Sequence, residues 1–192
     1  MNKTINIMIV GVGGQGSLLA SRLLGNVLLN EGFDVKVSEV HGMSQRGGSV
    51  VTYVRFGEKV YSPVIDKGQA DYIISFEKLE AARWMSYLKK DGKIIVNTQE
   101  IDPMPVIVGA ANYPEQIIEQ MEQLGVCVIP IDAFHLAEQA GSVKAVNLVL
   151  MGVLSKYLQF EPEVWEKAML ECIPEKFLEL NQKAFALGKC HN

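Results

Sequence analysis

Cysteine is scarce in this 192-residue chain: Cys127, Cys172 and Cys190 are an odd number set far apart. That spacing excludes a disulfide framework, a Cys-x-x-Cys redox pair and the clustered thiolates of an iron–sulfur centre. Cys127, inside GVCVIPI, reads as a small core residue. Basic runs are just as rare. None exceeds Lys89-Lys90 and the net charge is -4, which argues against an electrostatic grip on nucleic acid. No segment approaches the roughly 18 consecutive apolar residues of a membrane span, and Met1 leads into a strand pattern without a cleavable signal layout. The expectation is a cytoplasmic protein whose partners include neither nucleic acid nor membrane.

What is present is ordinary globular material, 48% hydrophobic and 21% charged, with no repeat, low-complexity tract or linker. The length suits one well-buried core. We expect a single domain over residues 1–192 with a helical elaboration from about residue 143.

The pattern along the chain is α/β. INIMIV (5–10) is a short apolar β run ending at glycine, residues 17–30 have helical spacing, and FDVKVSEV supplies a second strand. Strand, glycine turn, helix, strand opens a βαβ unit, which predicts a parallel pair with a right-handed crossover. SVVTYVRF, the turn Gly57-Glu58-Lys59 and VYSPVI then read as a hairpin, with Tyr53, Phe56 and Tyr61 packing in the sheet or facing a partner. The parallel pattern resumes with ADYIISF, a helix over 77–90, an Asp91-Gly92 turn and KIIVNT. Residues 101–111 read as a loop or irregular strand, and Asn112 as the cap of a helix running to Gly125. VCVIPID is the last strand, and Asp132 caps the next helix. Residues 143–158 are apolar nearly all round, as in a helix buried on most faces. Helices over 162–172 and 174–187 follow. The fold class is thus a Rossmann-like, doubly wound, mostly parallel sheet with an inserted β-hairpin and C-terminal helices.

Two glycine segments are the candidate site. GVGGQG places Gly11, Gly13 and Gly16 at G-x-G-x-x-G spacing between strand and helix, with Gly14 and Gln15 between them. Missing Cβ atoms there permit a tight turn and close approach of a phosphate to the helix N-terminus. Glu39 then falls where a ribose-binding acid would sit. The competing explanation is that the glycines only let the first helix pack closely on the sheet. No Gly-Lys-Ser/Thr follows, which removes the P-loop. The second segment, HGMSQRGG, holds His41, Ser44, Gln45, Arg46, Gly47 and Gly48. Arg46 and Gln45 suit a carboxylate, phosphate or facing carbonyl, although Arg46 pairing within its own chain is as good a reading. His41 suits charge tuning near neutral pH or loop anchoring. Glu77, between strand and helix, is at the carboxyl edge where such sheets place ligand groups, and equally favours the positive end of its own helix. His135, Trp84 and Trp165 are assigned to structure and packing, and His191 to a mobile tail. No metal-ligand cluster and no catalytic dyad stand out.

GVGGQG, EVHGMSQRGGSVVTYVRFG, YSPVI, ADYIISFEKLEAAR and NQKAFALG, in that order, resemble the small subunit of the 2-oxoacid:acceptor oxidoreductases, and among them the beta subunit of indolepyruvate ferredoxin oxidoreductase. The likeness runs over about residues 5–188. Its specificity comes from HGMSQRGG and FEKLEAAR, which ordinary dinucleotide folds do not combine. The resemblance implies a multisubunit enzyme that oxidatively decarboxylates an aryl 2-oxoacid to an acyl-CoA, passing electrons to ferredoxin. Thiamine diphosphate and iron–sulfur clusters would belong to a larger partner subunit. The sequence agrees by omission, since it lacks a Gly-Asp-Gly thiamine diphosphate motif. Such a subunit is expected to be inactive alone and to self-associate when isolated. The alternatives are a self-sufficient NAD(P)-dependent enzyme or nucleotide sensor, and an assembly module without catalysis.

Overall fold

The computed structural model describes residues 4–41 and 47–191, with the backbone alone at His41. Its centre is a six-stranded sheet in the order β2-β3-β1-β4-β5-β6. The strands are β1 (Ile5–Val12), β2 (Asp34–His41), β3 (Ser49–Gly57), β4 (Ala70–Ser75), β5 (Leu88–Asn97) and β6 (Cys127–Ile131). β1, β4, β5 and β6 are parallel neighbours, and β3 is antiparallel to both β1 and β2.

β1 shows why the sheet is buried on both sides. Ile7 and Ile9 enter one core, Met8 and Val10 the other, and all four are fully buried. A strand covered on both faces reads as a continuous apolar run, not an alternating one. Over Ile7 and Ile9 lie α1 (Ser17–Asn30) and the helices that end the chain. Over Met8 and Val10 lie α2 (Lys78–Trp84) and, beyond the short helix α3 (Met104–Ile107), α4 (Ile117–Gln123). The helix after β1 therefore covers one face and the helix after β4 the other. The carboxyl ends of β1 and β4 form the switch point of a doubly wound sheet.

The α/β class, the mostly parallel sheet and the terminal helices are as expected, but several details differ. β1 and β2 are not adjacent, because β3 inserts between them, matched from Ile5↔Phe56 to Val12↔Ser49 on one side and from Asp34↔Gly57 to His41↔Val50 on the other. The hairpin is therefore β2–β3. VYSPVI forms no strand: Arg55 Nη1 donates to the carbonyls of Ser62 and Val64 at 2.9 and 2.8 Å, taking acceptors a sheet ladder would need. Phe56 is buried, Tyr53 half-buried, and Tyr61 is 88% exposed.

The helix expected over 77–90 stops at Trp84, followed by one 3₁₀ turn (Met85–Tyr87). β5 then runs through Asp91-Gly92, where Asp91 takes φ 65° and the pairing with β4 slips. Residues 101–111 contain the helical turn α3. Asn112 caps nothing, because α4 starts only after Gln116, which adopts the left-handed conformation. Cys127 is exposed, since β6 pairs only with β5 and is the outer strand of the sheet.

The terminal helices are α5 (Ala133–Ala140), α6 (Val146–Leu158), α7 (Pro162–Cys172) and α8 (Glu175–Cys190). Asp132 does cap α5, accepting from His135 N at 3.0 Å. α6 is buried continuously from Val146 to Ser155, as its all-round apolar pattern requires. Trp165 is 1% exposed and stacks obliquely on Phe185, whereas Trp84 is half-buried beside Tyr87. His191 is held at the end of α8, its Nε2 3.3 Å from the Pro130 carbonyl.

Candidate functional site

The first glycine segment lies at the switch point, where a bound phosphate would rest on backbone N–H groups. Gly14 and Gly16 have φ of 102° and 89°, a region that side chains with Cβ rarely enter. Here, however, the loop is filled from within. The Gln15 side chain lies across the crevice: Oε1 accepts from Val12 N at 2.7 Å, and Nε2 donates to the Phe76 carbonyl at 3.1 Å and to Gln99 Oε1 at 3.4 Å. The Phe76 carbonyl also accepts from buried Asn97 Nδ2 at 3.1 Å. A Cβ at Gly11 would lie 2.9 Å from both Gln15 Oε1 and Phe76 Cβ. Gly13 N donates to the Gly48 carbonyl at 2.9 Å, joining the two glycine segments. The carbonyl of Gly16 accepts from Leu19 N, Ala20 N and Asn147 Nδ2. Contacts within the chain occupy the space at Gly11 and Gly16, whereas a Cβ at Gly14 would meet nothing within 4 Å.

Space remains on both flanks of the loop. A cavity of about 200 Å³ opens between Gly13, Gly14, Ser17, Glu39 and Thr52. Glu39 reaches it although β3 separates its strand from β1, and its Oε1 already accepts from Ser21 Oγ at 3.1 Å. On the other flank, Gln15, Gln99, Phe134 and Lys144 border a second hollow of about 370 Å³.

Glu77 is 1% exposed, and its carboxylate is used inside the chain. Oε2 caps α2 by accepting from Glu80 N at 2.8 Å. Oε1 accepts from Ile101 N at 3.3 Å and from the Tyr113 hydroxyl. Burial, and then the hydrogen bond to Glu77, push the Tyr113 hydroxyl far above the usual tyrosine range. The helix-start reading of Glu77 is what its contacts match, with a further role in holding residues 101 and 113.

Glu80 escaped the sequence reading. It is 5% exposed, accepts from Ser49 Oγ, and pairs with Arg83 Nε at 3.2 Å. Burial raises its pKa against the opposing pull of Ser49 and Arg83. The i,i+3 spacing of Glu80 and Arg83 in FEKLEAAR was the available signal. Nothing local announces the buried Asn97 or its bond to Phe76, which join residues 21 apart.

The structure thus brings Gly11, Gly13, Gly14, Gln15, Gly16, Gly48 and Glu77 to one edge of the sheet. Gly47 precedes Gly48 with φ 78°. Ser44, Gln45, Arg46 and the His41 side chain lie outside the described residues. Among the described residues no three His, Cys, Asp or Glu side chains form a metal cluster, and no helix is long and apolar enough to cross a membrane.

Fold and site together define a doubly wound α/β protein whose switch-point crevice is bridged by its own glutamine. The chain belongs to the pyruvate ferredoxin/flavodoxin oxidoreductase family, which matches residues 6–189. It is 45% identical to the indolepyruvate oxidoreductase subunit IorB of Thermococcus kodakarensis, over 97% of this chain and 95% of that one. The fold is shared with the gamma subunit of a keto/oxoacid ferredoxin oxidoreductase from Geobacter sulfurreducens (TM-score 0.71, 24% identity, 96% of this chain and 95% of that one). It is shared also with a 2-oxoglutarate:ferredoxin oxidoreductase from Magnetococcus marinus (TM-score 0.75, 19% identity), where the match covers all of this chain and 32% of the other.

Proposed function

We propose that the chain is the small subunit of a 2-oxoacid:ferredoxin oxidoreductase acting on an aryl pyruvate of the indolepyruvate type. The observation that carries this reading is the end-to-end likeness to an indolepyruvate oxidoreductase subunit. The Gln15 amide lying across the crevice supports it, because a subunit that serves another polypeptide's chemistry has no need of its own dinucleotide site.

The residues of this chain do not fit the family's cofactors. Cys127, Cys172 and Cys190 are free thiols, with no cluster of ligating side chains among the described residues. A Gly-Asp-Gly sequence is absent. Thiamine diphosphate and the iron–sulfur clusters are therefore assigned to a larger subunit, and ferredoxin meets the complex there. CoA is a reactant of the whole assembly. This chain contributes the shape of its carboxyl edge, from the two glycine segments to Glu77.

Two measurements test the reading. Calorimetry of the purified chain with NAD(H), NADP(H) and CoA should give no tight binding of NAD(P). Tight NAD(P) binding, or turnover of a substrate by the chain alone, would establish the self-sufficient enzyme instead. Purification from native cells should bring down a larger subunit carrying thiamine, iron and acid-labile sulfide, and the complex should oxidise indolepyruvate with CoA and ferredoxin.

A further inference from the structure

The stretch from Pro103 to Pro114 contains no charged residue, yet most of it is exposed. Met104, Ile107 and Val108 are 66, 66 and 65% exposed. Apolar side chains left in water in one cluster mark a surface that another molecule covers. The cluster is also ordered by its own chain. Glu77 Oε1 accepts from Ile101 N and from the Tyr113 hydroxyl, so a single buried carboxylate oxygen pins both ends of the excursion. Inside it, the Pro103 carbonyl accepts from Val106 N and Ile107 N, and the Pro105 carbonyl from Ala110 N and Ala111 N. The result is a compact loop with closed ends, whose apolar tip is held ready and loses little entropy on docking.

We propose that this stapled loop, residues 101–113, is a docking surface for the larger subunit, which meets it with an apolar patch rimmed by Lys and Arg. The proposal rests on the small-subunit reading above. Three observations select that occupant. The loop leaves β5 at the carboxyl edge and shares Glu77 with the candidate site, so a partner seated on one reaches the other. Exposed Asp102 and Glu115 flank the uncharged stretch in the chain, with exposed Glu119 beyond, while Glu100 is already paired with Lys78. The free charges beside the apolar tip are thus acidic, as in a polar rim at the margin of a hydrophobic centre. A two-fold contact with a second copy would set this rim against itself, whereas a basic rim complements it. Finally, the same fold makes up 32% of the length of the Magnetococcus oxidoreductase chain, so a domain of this shape sits there in one polypeptide with a larger remainder.

The test uses the full chain with its thiamine diphosphate subunit, co-purified or co-expressed. Replacing Ile107→Ser and Val108→Ser together should weaken association roughly tenfold or more and leave the melting temperature of the isolated chain unchanged. Leu170→Ser, at an exposed position of α7, should bind as wild type does. Raising salt should weaken the wild-type complex. Tyr113→Phe removes one arm of the staple, and should weaken association while increasing protease cleavage within 102–112. A double-serine variant that binds like wild type, or a Leu170→Ser chain weakened equally, overturns the proposal. So does a wild-type dimer that the double variant dissolves while keeping the larger subunit. If the wild-type chain holds no thiamine diphosphate subunit at all, the small-subunit reading fails and takes this one with it.

Discussion

Gln15 and Phe76 are joined across the carboxyl end of the sheet, the glutamine Nε2 donating to the phenylalanine carbonyl at 3.1 Å. That bond spans the crevice between β1 and β4, and the opposite end of the same amide satisfies Val12 N. Gln15→Ala leaves a partly buried N–H without its partner, so a loss of about 1–3 kcal/mol is expected. Urea denaturation of the variant measures it. Stability equal to wild type would mean that the amide does not brace the crevice.

Glycines in this protein should differ in cost according to what they face. A Cβ at Gly152 would lie 2.1 Å from the Phe185 carbonyl oxygen, and one at Gly188 2.0 Å from the Val149 carbonyl oxygen. Both are backbone atoms where α6 meets α8, so the helices themselves must separate. At Gly11 the nearest atoms belong to side chains. Gly11→Ala is expected to cost about 1–3 kcal/mol, and Gly152→Ala or Gly188→Ala above about 4 kcal/mol, or the fold itself. Thermal melts rank the three.

The raised pKa of Glu80 sets a pH dependence. Below the ordinary carboxyl value of 4.5 both folded and unfolded chains hold the proton. As pH rises through the window up to the folded value, the unfolded chain releases it first, so this residue's contribution to stability falls and stays lower above the window. Glu80→Gln cannot ionise. The stability of that variant relative to wild type should therefore increase between about pH 4 and about pH 7. Denaturant titrations at both values check the sign, and an opposite trend would show that Ser49 and Arg83 outweigh burial.

Thiol reactivity should divide the three cysteines. Burial, then the neighbouring Glu171 carboxylate, push the Cys172 thiol up, and a thiol that keeps its proton reacts slowly. Cys127 and Cys190 are exposed. Brief alkylation of the native chain followed by peptide mass spectrometry should label Cys127 and Cys190 well before Cys172.

Much of the fold was legible because its signals are local. The β1 run, the helix after GVGGQG, the Asp132 cap and the apolar 143–158 helix each depend on residues close in sequence. The errors fell where distant groups decided. VYSPVI has strand-like residues, but the Arg55 guanidinium claims its carbonyls. The helix expected at Asn112 begins later, at Ile117, and Tyr113 is bound to Glu77. β3 displaced β2 from β1 because strand order depends on which edge each strand buries, and hydrophobic periodicity carries no record of that.

For the candidate site the division is similar. The sequence alone determined the glycine turn between strand and helix, the absence of a cysteine cluster and the family resemblance, since these depend only on residue type and spacing. Only the tertiary structure decided what the glycines face. Gln15 meets Phe76, Gly13 meets Gly48, and Glu77 gathers Ile101 and Tyr113. Each contact joins segments far apart in the chain, and a hydrogen bond forms only when folding brings its donor and acceptor within about 3 Å.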